Sequence, residues 1–83
     1  MIHILVAIRD SAVNAFMRPF AVPAVGAAVR SFMDEVNRPD SDMGKHPDDY
    51  ELFELAAFDD TSGRVTMLPE PRQLARAKDI KEV

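Results

Sequence analysis

The chain has 83 residues, 14 acidic against 10 basic, a formal net charge of −4 and no cysteine. It is therefore one small domain with neither a disulfide framework nor a thiolate metal site. A chain this short buries only about 60–65% of its unfolded surface, which makes oligomerisation an expected source of further burial.

No apolar run approaches the length of a membrane span, and Met1-Ile2-His3-Ile4 lacks the basic stretch of a secretory signal. The expectation is a soluble, cytosolic protein without membrane contact. Ile2, Ile4, Val6 and Ile8 alternate with His3, Leu5, Ala7 and Arg9, a period of two with both faces mostly apolar. That is the pattern of a central strand. Between Ala12 and Phe20 the sequence reads as an irregular arm with one helical turn, stopped by Pro19. Arg18 sits there among Phe16, Met17 and Phe20, a cation between aromatics.

The segment Phe20 to Pro39 is the most periodic of the chain and predicts a helix. Pro23 suits its first position, and Val25, Val29, Phe32, Met33 and Val36 recur at three- and four-residue steps on a core face. On the other side, Arg30 with Asp34 and Asp34 with Arg38 stand four residues apart, close enough to pair. Pro39 ends the helix. Gly26, with Ala24, Ala27 and Ala28, makes its first half narrow, so a close neighbour is expected there, either a strand or the same helix of a second copy. Val25, Gly26 and Val29 are the expected oligomer interface.

Residues 39–49 carry turn chemistry and read as a loop. Tyr50–Phe58 is a second strand, with Glu51, Phe53, Leu55 and Ala57 on one face and Tyr50, Leu52, Glu54, Ala56 and Phe58 on the other. Asp59-Asp60-Thr61-Ser62-Gly63 then places glycine before the β-rich 64–68, which predicts an antiparallel hairpin with Gly63 in the left-handed region. Pro69-Glu70-Pro71 breaks regular structure. The division is thus a compact domain over 1–69 and a basic tail over 70–83, mobile or laid on a partner. The fold class is α+β, one main helix on a small, mainly antiparallel three-stranded sheet in the order β-α-β-β.

Charge is sorted along the chain: +2 over residues 1–33, −8 over 34–60 and +2 over 61–83. Such a chain can bind a polyanion on one face or pair its own halves between subunits. His3 and His46 lack a third nitrogen or thiolate, and Asp40, Asp42, Asp48 and Asp49 lack the spacing of a calcium loop, so no metal and no cofactor is expected. Ser11, Ser31, Ser41 and Ser62 occur without a nucleophile elbow, there is no glycine-rich phosphate loop, and His46 beside Asp48 and Asp49 reads as a structural or solvated pair. No enzyme is expected. Arg9, Arg18, Arg64, Arg72, Arg76, Lys78 and Lys81 lie outside the acidic middle, and Phe16 or Phe20 could stack on an unpaired base. Those cations and Phe16 are the candidate nucleic-acid-binding residues.

The run Arg9-Asp10-x-Ala12, Phe16, Pro19-Phe20, Pro23, Arg30-x-Phe32-x-Asp34-Glu35-Val36-Asn37-Arg38, then His46-Pro47-x-Asp49-Tyr50-x-Leu52-Phe53 and Phe58-Asp59 resembles the small nonstructural protein of gokushoviruses, single-stranded DNA phages of the Microviridae. The resemblance covers about residues 5–65. It implies a phage protein made in the host bacterial cytoplasm, often labelled DNA-binding and assigned to the switch from duplex replication to single-strand genome synthesis and packaging. It carries no catalytic motif; Arg9, Arg18, Arg30 and Arg38 are its matched basic positions. The expected partners are single-stranded DNA and further copies of the chain, as a homodimer or larger. The rival expectation is a protein-interaction module acting on a viral or host replication protein without DNA contact, including an acidic surface that mimics DNA.

Overall fold

The computed structural model describes residues 1–82. Nine residues, Ile2–Asp10, form β1, the strand expected from their alternation. Val6 and Ala7, on opposite faces, are both fully buried. One edge is taken by β4, Tyr50–Asp59, and β4 in turn pairs with β5, Arg64–Arg76, all antiparallel. The other edge is taken by two short strands, β2 at Ala15–Phe16 and β3 at Phe20–Val22. The sheet is therefore five-stranded rather than three-stranded, and it curls into a half-barrel.

The segment expected to be an irregular arm with a helical turn supplies both extra strands. Asp10 accepts a hydrogen bond from the Ala12 N–H at 3.0 Å, and Asn14 takes a positive φ of 55°, a conformation asparagine tolerates. The chain reverses, and Phe20, Ala21 and Val22 fall opposite Val6, Leu5 and Ile4. This pairing holds 20–22 extended, so the helix starts later than Pro23 suggests. Helix α1 spans Val25–Val36 and has Ala24 at its N-cap with no side-chain hydrogen bond. Packing has to hold it. Ala28, Phe32 and Val36 are buried and Val29 is partly so, whereas Met33, expected on the core face, is exposed. The expected Arg30–Asp34 and Asp34–Arg38 pairs are not formed. Arg38 instead grips Glu35 at 2.8 and 3.0 Å and holds that carboxyl below its ordinary range.

The 39–49 loop contains a four-residue helix, α2 at Asp42–Lys45, capped by the buried Ser41, whose hydroxyl accepts from the Gly44 N–H at 3.4 Å. A single 3-10 turn, Pro47–Asp49, leads into β4. After β5 comes α3, Ala77–Ile80. Asn37 ties α3 to the end of α1: its amide donates to the Ile80 carbonyl at 3.0 Å, and its oxygen accepts from the Glu82 N–H at 2.7 Å. Residues 70–80 are thus the second half of an edge strand and a helix whose Ala77 is fully buried, not a tail beyond the domain. All three helices contribute to one core cluster with Val6, Ile8, Val22 and Leu52 on one face of the sheet.

The hairpin forms as expected. Gly63 has φ 77° and donates to the Asp59 carbonyl at 2.7 Å. The faces of β4 do not. Val6 stands opposite Glu54 but Leu5 opposite Ala56, so Leu55 is an extra residue in the ladder. A slip of one residue reverses every later side chain, and Ala56 and Phe58 share a face with Glu51 and Phe53 instead of with Leu52.

Beside the hairpin, the Asp60 carboxylate lies 2.7 Å from the Met1 amine and 2.9 Å from His3 Nε2. The amine first and His3 second hold its pKa below the ordinary 3.8. A carboxyl depressed by folding stabilises the fold above its unfolded value and loses that contribution as pH falls through the folded one. Asp60→Asn is therefore expected to melt with the parent at pH 2 but below it at pH 6. Melting curves at the two pH values test this, and an equal deficit at both would refute the electrostatic role.

Candidate nucleic-acid interface

Cross-strand partners share a face of the sheet, so the register places the side chains. Opposite the helices, one row runs across four strands as Phe16, Arg9, Glu51 and Arg76. The next row is Ala7, Phe53 and Gln73. Phe16 meets Phe53 edge to face, with ring centroids 5.5 Å apart and planes at 72°. Phe16 nevertheless keeps 43% of its surface exposed, enough to offer a base an apolar platform. Arg9 is held beside it by a hydrogen bond from its guanidinium to the Asn14 side chain. At the far end of the row Arg76 pairs with Asp79 at 2.8 Å.

Of the basic residues picked out from the sequence, the fold brings only Arg9 and Arg76 onto this face with Phe16. Arg72 lies opposite Glu54, on the face that carries Val6, and pairs with it at 2.5 Å. Lys81 reaches over Gly44 on the helical side. Lys78 is exposed on α3, Arg64 stands at the hairpin end opposite Asp59, and Arg18 is exposed in the connection between β2 and β3. Charge sorted along the sequence is thus not sorted on the surface, because Glu54 from the acidic middle is placed against Arg72 and Asp60 against the Met1 amine. The cations named from the sequence are therefore not gathered on one face.

Phe53 is the residue that sequence reasoning passed over. Its signal was present in the alternation of β4, but only the pairing of β1 with β2 brings Phe16 to it. Val25 and Val29 are half-buried on α1, Val29 against the core, and nothing lies within 4 Å of where a Gly26 Cβ would stand. Among the described residues no cluster of three or more His, Asp or Glu side chains is set to hold a metal, and no helix is long and apolar enough to cross a membrane.

A protein-family model described as Phage ORF5 protein matches residues 3–80. No curated protein and no solved structure matches the chain.

Proposed function

The chain belongs to the Phage ORF5 protein family, and from that premise we propose an accessory protein that binds single-stranded DNA on the open face of its sheet. It would do so in the host bacterial cytoplasm, during the switch to single-strand genome synthesis or packaging. The observation that carries this reading is the Phe16–Phe53 pair flanked by Arg9. A base stacks on the exposed part of Phe16, Arg9 meets the adjoining phosphate, Arg18 meets a further one from the β2–β3 connection at the sheet edge, and Arg76 joins them when a phosphate displaces Asp79. No sequence is read, because stacking and charge discriminate little between bases.

The small number of cations sets the scale of the effect. Two or three phosphates neutralised on a single strand give a slope of log affinity against log salt of about −1.4 to −2. Fluorescence anisotropy with a labelled oligonucleotide measures it. Phe16→Ala is expected to weaken binding by about 1–3 kcal/mol, the range for one stacked base, without unfolding a chain in which Phe16 is half exposed. Absence of binding at low salt, or binding indifferent to Phe16→Ala, would reject the proposal.

A second reading is favoured by the internal pairing of Arg38, Arg72 and Arg76. In it the chain contacts no DNA and docks on a viral or host replication protein, with the acidic residues 34–60 standing in for a polyanion. Capture of a replication protein that free oligonucleotide displaces, with no oligonucleotide bound by the chain alone, supports this reading, and direct binding of the oligonucleotide by the chain rejects it.

A further inference from the structure

We propose that the outer edge of β5 pairs antiparallel with the β5 edge of a second copy of this chain, centred on Thr66. In the sheet order β2-β1-β4-β5 this strand is an edge, and its first part exposes two large apolar side chains. Val65 is 50% exposed and Met67 65%, both opposite the helical face, with Val65 across from Phe58 and Met67 from Ala56. An open strand of that kind is a template for another strand.

The backbone directions can be counted from the hairpin. Asp60 donates its N–H to the Met1 carbonyl, so Asp60 points its backbone at β1. Backbone groups alternate along an antiparallel strand, so Asp59 and Ala57 point at β5. Their partners are Arg64 and Thr66. The N–H and C=O groups of Val65 and Met67 therefore face outward. A two-fold axis through Thr66 sets Val65 opposite the partner's Met67 and Met67 opposite the partner's Val65, each pair exchanging two hydrogen bonds and closing two apolar side chains. Thr66 then meets the partner's Thr66 as the intervening pair without hydrogen bonds. Arg64 falls opposite the partner's Leu68, with the partner's Glu70 next along, an opposite charge at each end of the contact.

The same sequence that opens this edge also limits it. Pro69 and Pro71 offer no N–H, and β5 bulges out of register with β4 between Met67 and Arg72, so pairing stops after Leu68. The opposite edge of the sheet consists of two- and three-residue strands separated by Pro19, too short to propagate a stack. The assembly closes as a dimer. This inference is independent of DNA binding.

Light scattering on the intact chain is expected to give twice the chain mass. Val65→Lys combined with Met67→Lys should halve that mass while far-ultraviolet circular dichroism stays unchanged, since both side chains are exposed. Thr66→Cys supplies the only cysteine of the molecule. Facing pairs without hydrogen bonds have Cα atoms about 4.5 Å apart, inside the range of a disulfide. The oxidised variant should run as a covalent dimer, and Gly26→Cys, on the exposed side of α1, should not. A monomeric mass for the intact chain overturns the proposal, as does a dimer that survives the double lysine variant or cross-links through Gly26→Cys rather than Thr66→Cys.

Discussion

Replacing Phe32 by alanine is expected to remove about half of the stability of this protein. Phe32 is the largest fully buried side chain among the described residues, at 1% exposure, and sits in the core cluster with Val6, Ile8 and Leu52. Truncating a buried phenylalanine costs about 3–5 kcal/mol, made up of lost transfer energy and the cavity left behind. An 83-residue domain holds roughly 4–12 kcal/mol in total at 0.05–0.15 kcal/mol per residue. The start of α1 has no polar anchor of its own, because Ala24 at its N-cap offers no side-chain bond and its first turn carries no acid. The melting temperature should fall by about 12–40 °C, at 4–8 °C per kcal/mol for a domain of this size. Phe32→Leu, which keeps most of the volume, should cost far less. If Phe32→Ala melted within a few degrees of the parent, α1 would not be part of the cooperative core.

The features that periodicity locates are those whose pattern arises inside one element. β1 is legible because Ile2, Ile4, Val6 and Ile8 alternate, and the hairpin because Gly63 follows four turn-forming residues. β2 and β3 are not, since two or three residues carry no period. They are strands only because the edge of β1 accepts them, and Pro19 and Pro23 at their ends read as helix punctuation. The same local logic ended β5 at Leu68, where Pro69 and Pro71 look like a full stop. The strand passes them by bulging out of register and resumes at Arg72, so Leu74, Ala77 and Ile80 reach a core to which the basic composition of residues 70–83 gave no clue.

The candidate site was legible in its residue types and illegible in its grouping. Arg9 and Phe16 could each be named from the chain, and the turn at Ser11–Asn14 makes them neighbours. Charge balance counted along the sequence says nothing of cross-strand pairing, and cross-strand pairing decided which cations remain available. Arg72 is drawn to Glu54 because they face each other across β4 and β5, eighteen residues apart in the chain. One extra residue at Leu55 likewise decides which face Phe58 joins. Bulges of that kind follow from how two strands twist together, and a single strand read alone does not contain them.

Glycine supplies the sharpest contrast between what composition suggests and what space allows. Gly26, set among Ala24, Ala27 and Ala28, looks like a contact point, yet nothing lies within 4 Å of its missing Cβ. In a helix an unneeded glycine costs up to about 1 kcal/mol against alanine through backbone entropy, so Gly26→Ala should raise the melting temperature by a few degrees. Gly44, in the segment that reads as a loop, is the tight one. A Cβ there would stand 2.4 Å from the Val36 carbonyl oxygen and 3.1 Å from the Lys81 ammonium. Lys81 is the end of a long side chain and can swing away, whereas the Val36 oxygen belongs to the last turn of α1 and cannot. Relief requires α2 to back off, and α2 carries Met43 into the core and leans on the buried Ser41. Overpacking of this kind costs about 1–3 kcal/mol, so Gly44→Ala should lower the melting temperature by about 4–24 °C. The two substitutions are chemically identical and should move stability in opposite directions. A common sign in paired thermal melts would mean that α2 is not seated against the end of α1, and that Asn37, Gly44 and Lys81 do not form the clasp joining the three helices.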